Sequence, residues 1–519
     1  MCSIEIGSSS TGDFEAMDVV SRVAPLSVGP YERKTMTFFQ QSIWDGKTYL
    51  GGWSNLGGTT PIVSPVTGKR IGSYATGTAD DIAKATDLAV RAQRTWATTS
   101  PEVRSAILRR AAVIIDENVG ILAQWLSDEA GSANGKAAFE AGLVAAEFHL
   151  ASATAMVPYG QVLRTGRPRL SLSRRLPVGV VGIISPFNFP SILSARSIAP
   201  ALALGNAVVI KPDPRTTLTG GLFFAAVLEE AGLPEGLFSV VPGGADVGSA
   251  LVDEPRVPVI SFTGSTPAGR AIGARGGELL KRVHLELGGN NALVVLADAD
   301  IEAAASAGAW GSFLHQGQIC MTTGRHIVHE SLYDRYIELL TEKALHLPVG
   351  PPSSGAPLGP IIDTGQRDKV HEIVTASVAA GARLTAGGTY DGLFYQPTVL
   401  ADVTVDHRAF TDEIFGPVAP VTSFATIDDL VHLVNSSDFG LSLALLTGNA
   451  FKAFEIADRM PSGILHINDQ TIDDEAQAPF GGVGASGTGS RFGGHDANIE
   501  AFTETQWVTI QGQIADYPF

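Results

Sequence analysis

Five short runs, residues 178–184, 207–210, 238–241, 257–262 and 283–287, are rich in β-branched and apolar side chains. A strand with one wet face alternates polar and apolar residues, whereas a strand covered on both faces reads as a nearly continuous apolar run. Helix-like stretches or glycine-rich turns separate these five. Strands alternating with helices build a doubly wound, mostly parallel sheet. A second alternating series begins with 292–296 and a helix from Ile301, and continues to about residue 480. From Asp80 to about Met156 the pattern is mostly helical, with Ile82, Ala85, Leu88 and Ala89 at helical spacing, and Ile107, Ala111, Ile114 and Ile115 likewise. The 519 residues exceed what one core organises. The expected fold is two doubly wound, Rossmann-like α/β domains, with ligand and chemistry in the cleft between them.

Charge narrows the function classes. With 36 Lys and Arg against 53 Asp and Glu, the formal net charge is −17, which disfavours nucleic acid and anionic membranes. No apolar run reaches membrane-spanning length; the best, 198–210, is interrupted by Pro200, Gly205 and Asn206. Neither a secretory signal nor a disulfide framework is expected, because the only cysteines are Cys2 and Cys320, so the chain reads as cytoplasmic. Residues 1–40 read as a flexible extension, with Ser8-Ser9-Ser10-Thr11-Gly12 near its start and Met36 as an alternative first residue. Segment 504–511 alternates like a strand without an obvious partner nearby in sequence. It suits pairing either with another subunit or with its own chain.

Three local features carry chemistry. Cys320 follows the helix from Ile301, at a helix-to-loop junction, in Gly317-Gln318-Ile319-Cys320. Glu286 closes an apolar strand and is followed by Gly288 and Gly289. Acids seldom occupy such positions unless paired or functional, and the glycines admit close approach of another chain or a ligand. Asn188 lies between aromatic rings and prolines in Pro186-Phe187-Asn188-Phe189-Pro190. Alone, each has a plainer explanation: an inert buried thiol, a satisfied ion pair, a turn residue. His326 and His329, three apart in a strand, face opposite ways and make a poor metal site, so no metal is expected. Arg174-Arg175 reads as a solvated pair.

Taken together and in order, Asn188-Phe189-Pro190, Glu286-Leu287-Gly288-Gly289, Gly317-Gln318-Ile319-Cys320, Glu413-Ile414-Phe415-Gly416-Pro417 and Pro479-Phe480-Gly481-Gly482 resemble the aldehyde dehydrogenase superfamily from about residue 45 to the end. Lys211-Pro212-Asp213-Pro214-Arg215, Gly288-Gly289-Asn290-Asn291, Leu314-His315-Gln316-Gly317 and the ending Tyr517-Pro518-Phe519 look like its benzaldehyde dehydrogenase branch. The resemblance implies an NAD-binding domain from 41–155 and 178–286 and a catalytic domain from 287–480. It also implies a small β oligomerisation flap from 156–177 and 496–519, in a homo-dimer or homo-tetramer. Cys320 would be the nucleophile, Asn188 and the Cys320 N–H the oxyanion donors, and Glu286 the base that hydrolyses the thioester. A small aromatic aldehyde would be the substrate, lined by Phe189 and Phe480, with Arg196 near the mouth.

For the cofactor, the turn carrying Gly264, Ser265 and Gly269 follows a strand and opens a helix, a setting for a pyrophosphate. The resemblance adds Lys211 and Asp213 near the adenosine ribose, Leu287, and Glu413 and Phe415 near the nicotinamide ribose. Two departures stand out. Pro214 replaces a glutamate that many NAD-preferring relatives carry, and Arg215 beside it suits a 2′-phosphate, so NADP stays open beside NAD. Ser197 replaces a family lysine, and any proton-relay role of that lysine does not transfer. The alternatives are an NADP-linked or broad-range aliphatic or semialdehyde dehydrogenase and, more remotely, a non-catalytic protein on the same fold.

Overall fold

The computed structural model describes residues 39–158 and 160–519; the expectations for residues 1–38 lie outside it. Among the described residues, two seven-stranded sheets carry the fold. The first runs Arg282–Glu286, Val259–Thr263, Val180–Ile184, Ala207–Lys211, Phe238–Val240, Thr48–Leu50 and Trp53–Ser54, with the first five strands parallel and the last two antiparallel. Val180–Ile184 and Ala207–Lys211 are buried along their whole length, as the absence of polar alternation requires. The order reverses around Val180–Ile184, since chain neighbours lie on either side of it, and crevices at such reversals open at the carboxyl ends of strands. Those ends carry Asn188, Lys211, Gly264 and Glu286.

The second sheet runs Arg383–Ala386, Thr398–Ala401, Val418–Phe424, Thr323–His329, Asn291–Val295, Ser442–Leu446 and Ile464–Ile467, parallel apart from its first strand. Helix Ile301–Phe313 connects Asn291–Val295 to Thr323–His329 and is capped by Asp300, whose carboxylate accepts from the Ala303 N–H at 3.1 Å. Leu293, Val295, Phe313, Val328 and Tyr336 make one of its cores.

The helical stretch resolves into Ala79–Trp96, Pro101–Glu117, Val119–Ala130 and Asn134–Thr154. Thr78 and Asp81 close a reciprocal capping box on the first. The C-terminal strand Thr503–Ile510 does find a partner in its own chain: it pairs antiparallel with Leu170–Pro177, which also pairs with Gly160–Val162. The partner was invisible in sequence because more than 300 residues intervene. Thr503–Ile510 has neighbours on one side only, and Trp507 and Ile510 stay exposed. Arg174 and Arg175 are not merely solvated: Arg174 donates to Gln506 at 2.7 Å and Arg175 pairs with Glu500. His326 is buried between Ser312 and Tyr336, while His329 caps a short 3-10 turn. Among the described residues no cluster could hold a metal ion and no helix is long and apolar enough to cross a membrane.

Candidate active site

Helix Ile301–Phe313 ends one turn earlier than the sequence suggests, and the chain tightens into Leu314–Gly317 with left-handed backbone at His315 (φ 48°) and Gln316 (φ 57°). Non-glycine residues hold that conformation only where their surroundings impose it. Here Gln316 donates to the Pro360 carbonyl at 2.7 Å, and Gln318 accepts from the Ile362 N–H at 3.0 Å. Gly317 (φ 65°) lies so close to the Gly416 carbonyl that a Cβ would overlap it. These contacts present Cys320, partly exposed, in an apolar wall of Leu314, Ile319, Met321, Phe189, Ile472 and Phe480.

The other motifs converge on it. Asn188 donates one side-chain N–H to the Gln318 carbonyl at 2.8 Å, leaving its second N–H uncommitted. The Cys320 N–H donates to no carbonyl among the described residues. Asn291 donates to the Cys320 and Thr322 carbonyls, each at 2.8 Å, and so anchors the chain just after the thiol. Gly288 and Gly289 have a steric reason: side chains there would overlap the Glu413 carboxylate and the Cys320 carbonyl. The Gly289 N–H donates to Glu413 at 2.9 Å.

Burial sets the electrostatics. It pushes the Cys320 thiol up to about 12, and Glu413, Glu286 and Asp474 add to the effect. Glu286 stands well above the usual carboxylate range, again through burial first; Arg491 and then Arg196 pull the other way. A smaller pull comes from the Gly482 N–H, although neither carboxylate oxygen closes a full hydrogen bond. A buried acid without donors is expensive and functionally suggestive.

The residues expected at the cofactor lie at the carboxyl ends of strands Ala207–Lys211, Val259–Thr263 and Arg282–Glu286 and in the loop after Glu413. Thr263, at the end of Val259–Thr263, sits level with Glu286 on the neighbouring strand. The Gly264 N–H donates to the Glu286 carbonyl at 3.0 Å. Helix Thr266–Glu278 then opens at Ser265, which is exposed and makes no side-chain cap, so its amide N–H groups are free for an anion. A side chain at Gly269 would overlap Leu287, so glycine brings this helix down on the strand end. Lys211 is mostly buried and no described residue accepts from its ammonium, the state expected of a donor awaiting a ligand hydroxyl. Phe415 has φ 56° and meets Phe187 edge-on at 5.8 Å.

Two sequence expectations need correction. Arg196 is not at an open mouth: it is 3 % exposed, ion-paired to Glu147 and Asp474, and lies 4.8 Å over the Phe480 ring. Arg215 is not free for a phosphate: Asp213 and Asp363 both bind it, and its guanidinium sits 4.1 Å over Phe187. Asp213 is thereby a partner of Arg215 first.

Sequence reasoning missed a buried clamp. Lys136 donates to Glu140, to Ser132 at 3.1 Å and to the Asn188 carbonyl at 2.7 Å, and sits 4.1 Å over the Phe189 ring. Glu140 in turn accepts from the N–H groups of Ser191 at 2.8 Å and Ile192 at 3.2 Å, capping helix Pro190–Ala203. The spacing of four in an alanine-rich helix was the available signal. Lys136→Met strands a buried carboxylate and frees Asn188. It should cost about 3–5 kcal/mol in chemical denaturation, and slow catalysis; unchanged stability would contradict the clamp.

The aldehyde dehydrogenase family profile matches residues 53–508. A vanillin dehydrogenase of an Amycolatopsis species is 56 % identical over 93 % of this chain and 100 % of its own length. An NAD(+) benzaldehyde dehydrogenase of Pseudomonas putida is 45 % identical over 92 % of this chain and 99 % of its own. Among solved structures, an NAD-dependent aldehyde dehydrogenase from Sinorhizobium meliloti superposes with a TM-score of 0.88 at 33 % identity, covering 93 % of this chain and 98 % of that one. A betaine aldehyde dehydrogenase from Staphylococcus aureus in complex with NAD+ also gives 0.88, at 28 % identity, covering 92 % and 97 %. With its Cys320 loop, buried acid and paired glycines in the arrangement just described, the chain belongs to the aldehyde dehydrogenase family.

Proposed function

We propose that this enzyme oxidises an aromatic aldehyde of the benzaldehyde type to its carboxylic acid with NAD. The observation that carries the reading is the buried, donor-poor Glu286, whose charge acts on a Cys320 packed among Phe189, Phe480 and aliphatic side chains. The thiolate of Cys320 adds to the aldehyde carbon, and its formation is uphill from a thiol raised to about 12. Asn188 and the Cys320 N–H offer donors where the oxyanion develops, each worth on the order of 100- to 1000-fold in rate. The Ser265 helix end, Lys211 and Glu413 would hold NAD, which when bound would supply the hydride acceptor; the Cys320 adduct, having given up its hydride, is a thioester. Glu286, once ionised, takes a proton from the water that hydrolyses this thioester, and the acid leaves. Arg215 is already neutralised by two carboxylates, which favours NAD over a cofactor with a 2′-phosphate. The relatives named for benzaldehyde and vanillin support the aromatic substrate. A cytoplasmic setting suits a nucleophile that must remain a reduced thiol. The one-sided strand Thr503–Ile510 supports a homo-dimer or homo-tetramer.

Cys320→Ala should fold and bind NAD while losing activity to below about a thousandth of wild type. Rapid mixing with benzaldehyde checks this, and activity above that level contradicts the covalent route. Glu286→Gln should keep the NADH burst and slow the turnovers that follow. In the wild type the post-burst rate should climb as pH rises through the elevated Glu286 titration, because only the ionised form accepts the proton. That dependence should vanish in the Gln variant.

Phe189 and Phe480 share the apolar cluster of Cys320, and aromatic contacts contribute roughly 0.5–1.5 kcal/mol each beyond area burial. Benzaldehyde should therefore show a higher kcat/KM than acetaldehyde or succinate semialdehyde, with the advantage reduced in Phe480→Ala. Preference for succinate semialdehyde would overturn the aromatic assignment and leave family membership intact.

A further inference from the structure

Glu286 has to be charged to act as a base, yet it is buried and its carboxylate has no complete hydrogen bond. Something must hold it in that state. The charged groups whose fields reach it are few. From helix Pro190–Ala203 comes Arg196, already bound by Glu147 and Asp474, so that cluster carries no spare positive charge. From the nucleophile loop comes Cys320, neutral until it reacts. On the neighbouring strand, Ser261 bonds Ser197 at 2.8 Å, an uncharged pair. From the glycine-rich segment after Phe480 comes Arg491.

Arg491 differs from Arg196, the other arginine whose field reaches Glu286. Among the described residues it pairs with no carboxylate, and its guanidinium donates only to the carbonyls of Gly482 at 3.2 Å and Ser490 at 2.9 Å. Its charge is therefore uncompensated. Gly481, at φ 154°, lies between the two groups: a Cβ there would stand 2.9 Å from Arg491 Cδ and 2.9 Å from Glu286 Oε1. Arg491 Cδ and Glu286 Oε1 are thus within about 6 Å of each other, the guanidinium begins at the next atom of that side chain, and at such a range a full charge in a partly dry site is worth on the order of one pH unit. The segment is pinned, since the Leu287 N–H donates to Ser486 at 2.9 Å and Phe480 and Phe492 exchange backbone hydrogen bonds at 2.7 and 3.0 Å.

We propose that Arg491 is a positioning residue for thioester hydrolysis: its uncompensated guanidinium is the counter-charge that keeps Glu286 available as the base. This rests on the assignment of Glu286 as that base. Arg491 touches neither the sulfur nor the acyl carbon; it acts through Glu286 alone. It therefore governs the second half of the reaction and leaves the first unaffected.

The test uses the full-length enzyme with p-nitrophenyl acetate. The Cys320 thiolate displaces nitrophenolate and forms the S-acetyl enzyme. Water then adds to the acetyl carbon with its proton passing to Glu286, and acetate departs as the thiolate returns. The nitrophenolate burst reports acylation, and the steady state reports hydrolysis. Arg491→Met should retain the burst, while its steady state at pH 7 falls about tenfold and the pH midpoint of that phase rises by about one unit. Arg491→Lys should stay within about threefold of wild type, because the charge is kept. If Arg491→Met does not fold, Arg491→Gln supplies the neutral side of the comparison. A neutral variant with the wild-type midpoint, or one that loses burst and steady state equally, overturns the proposal, provided Glu286→Gln slows hydrolysis. If Glu286→Gln leaves hydrolysis unchanged, the base assignment itself fails.

Discussion

Desolvation of charge is the constraint around which this site is organised. Glu286 is withdrawn from water and Cys320 and Glu413 are partly so, and desolvation is the first cause holding each toward its protonated form. Withdrawal has a chemical use, because a dry cleft strengthens every interaction with a developing charge. It also has a cost, since each ionised group then needs a partner fixed by the protein. The neighbouring structure supplies those partners unevenly. Glu413 receives the Gly289 N–H, Cys320 sits behind a committed loop carbonyl, and Glu286 is left without a donor.

That economy depends on backbone positions few residues tolerate. The nucleophile loop and the Glu413 loop interlock where Gly317 meets the Gly416 carbonyl, beside left-handed backbone at His315, Gln316 and Phe415. Strain of this kind, of order 1–3 kcal/mol per residue, persists only where surrounding bonds over-determine it. Gln366 supplies such bonds to the Ile414 and Phe415 carbonyls at 3.2 and 2.9 Å, and Gln316 and Asn291 supply them on the facing loop. A one-residue shift in either loop would therefore move the Cys320 sulfur and the Glu413 carboxylate together.

How much of this was legible in the sequence follows from the range of each interaction. Strands buried on both faces announce themselves locally, so residues 207–210 matched Ala207–Lys211 and 292–296 matched Asn291–Val295 within a residue or so. The motif residues Cys320, Glu286 and Asn188 were legible because glycines, prolines and aromatics mark their loops. Lys136 and Glu140 were not, because a lysine and a glutamate four apart look the same whether they face water or a core. Arg491 carried no signal at all: its meaning comes from Glu286, two hundred residues earlier in the chain. Arg196 and Arg215 were misread for a related reason. Sequence shows a positive charge but not the carboxylates from distant segments, Glu147, Asp474 and Asp363, that consume it.

Those two neutralised arginines also bear on selectivity. An incoming 2′-phosphate would have to displace Asp213 or Asp363 from Arg215, and a substrate carboxylate would have to displace Asp474 or Glu147 from Arg196. Around Arg196 the pairs are buried, and removing one partner there costs several kcal/mol, more than a new anion recovers by taking its place; Arg215 and Asp363 are partly exposed, so that competition is weaker. A neutral ring asks for no such exchange. It needs only the apolar wall, where Phe480, backed by the Arg196 guanidinium, and Phe189, backed by Lys136, are held rigid by cations stacked on their faces. The buried carboxylates around Arg196 thus act in two ways: they leave it no spare positive charge, and they anchor the cation that lies over the Phe480 ring.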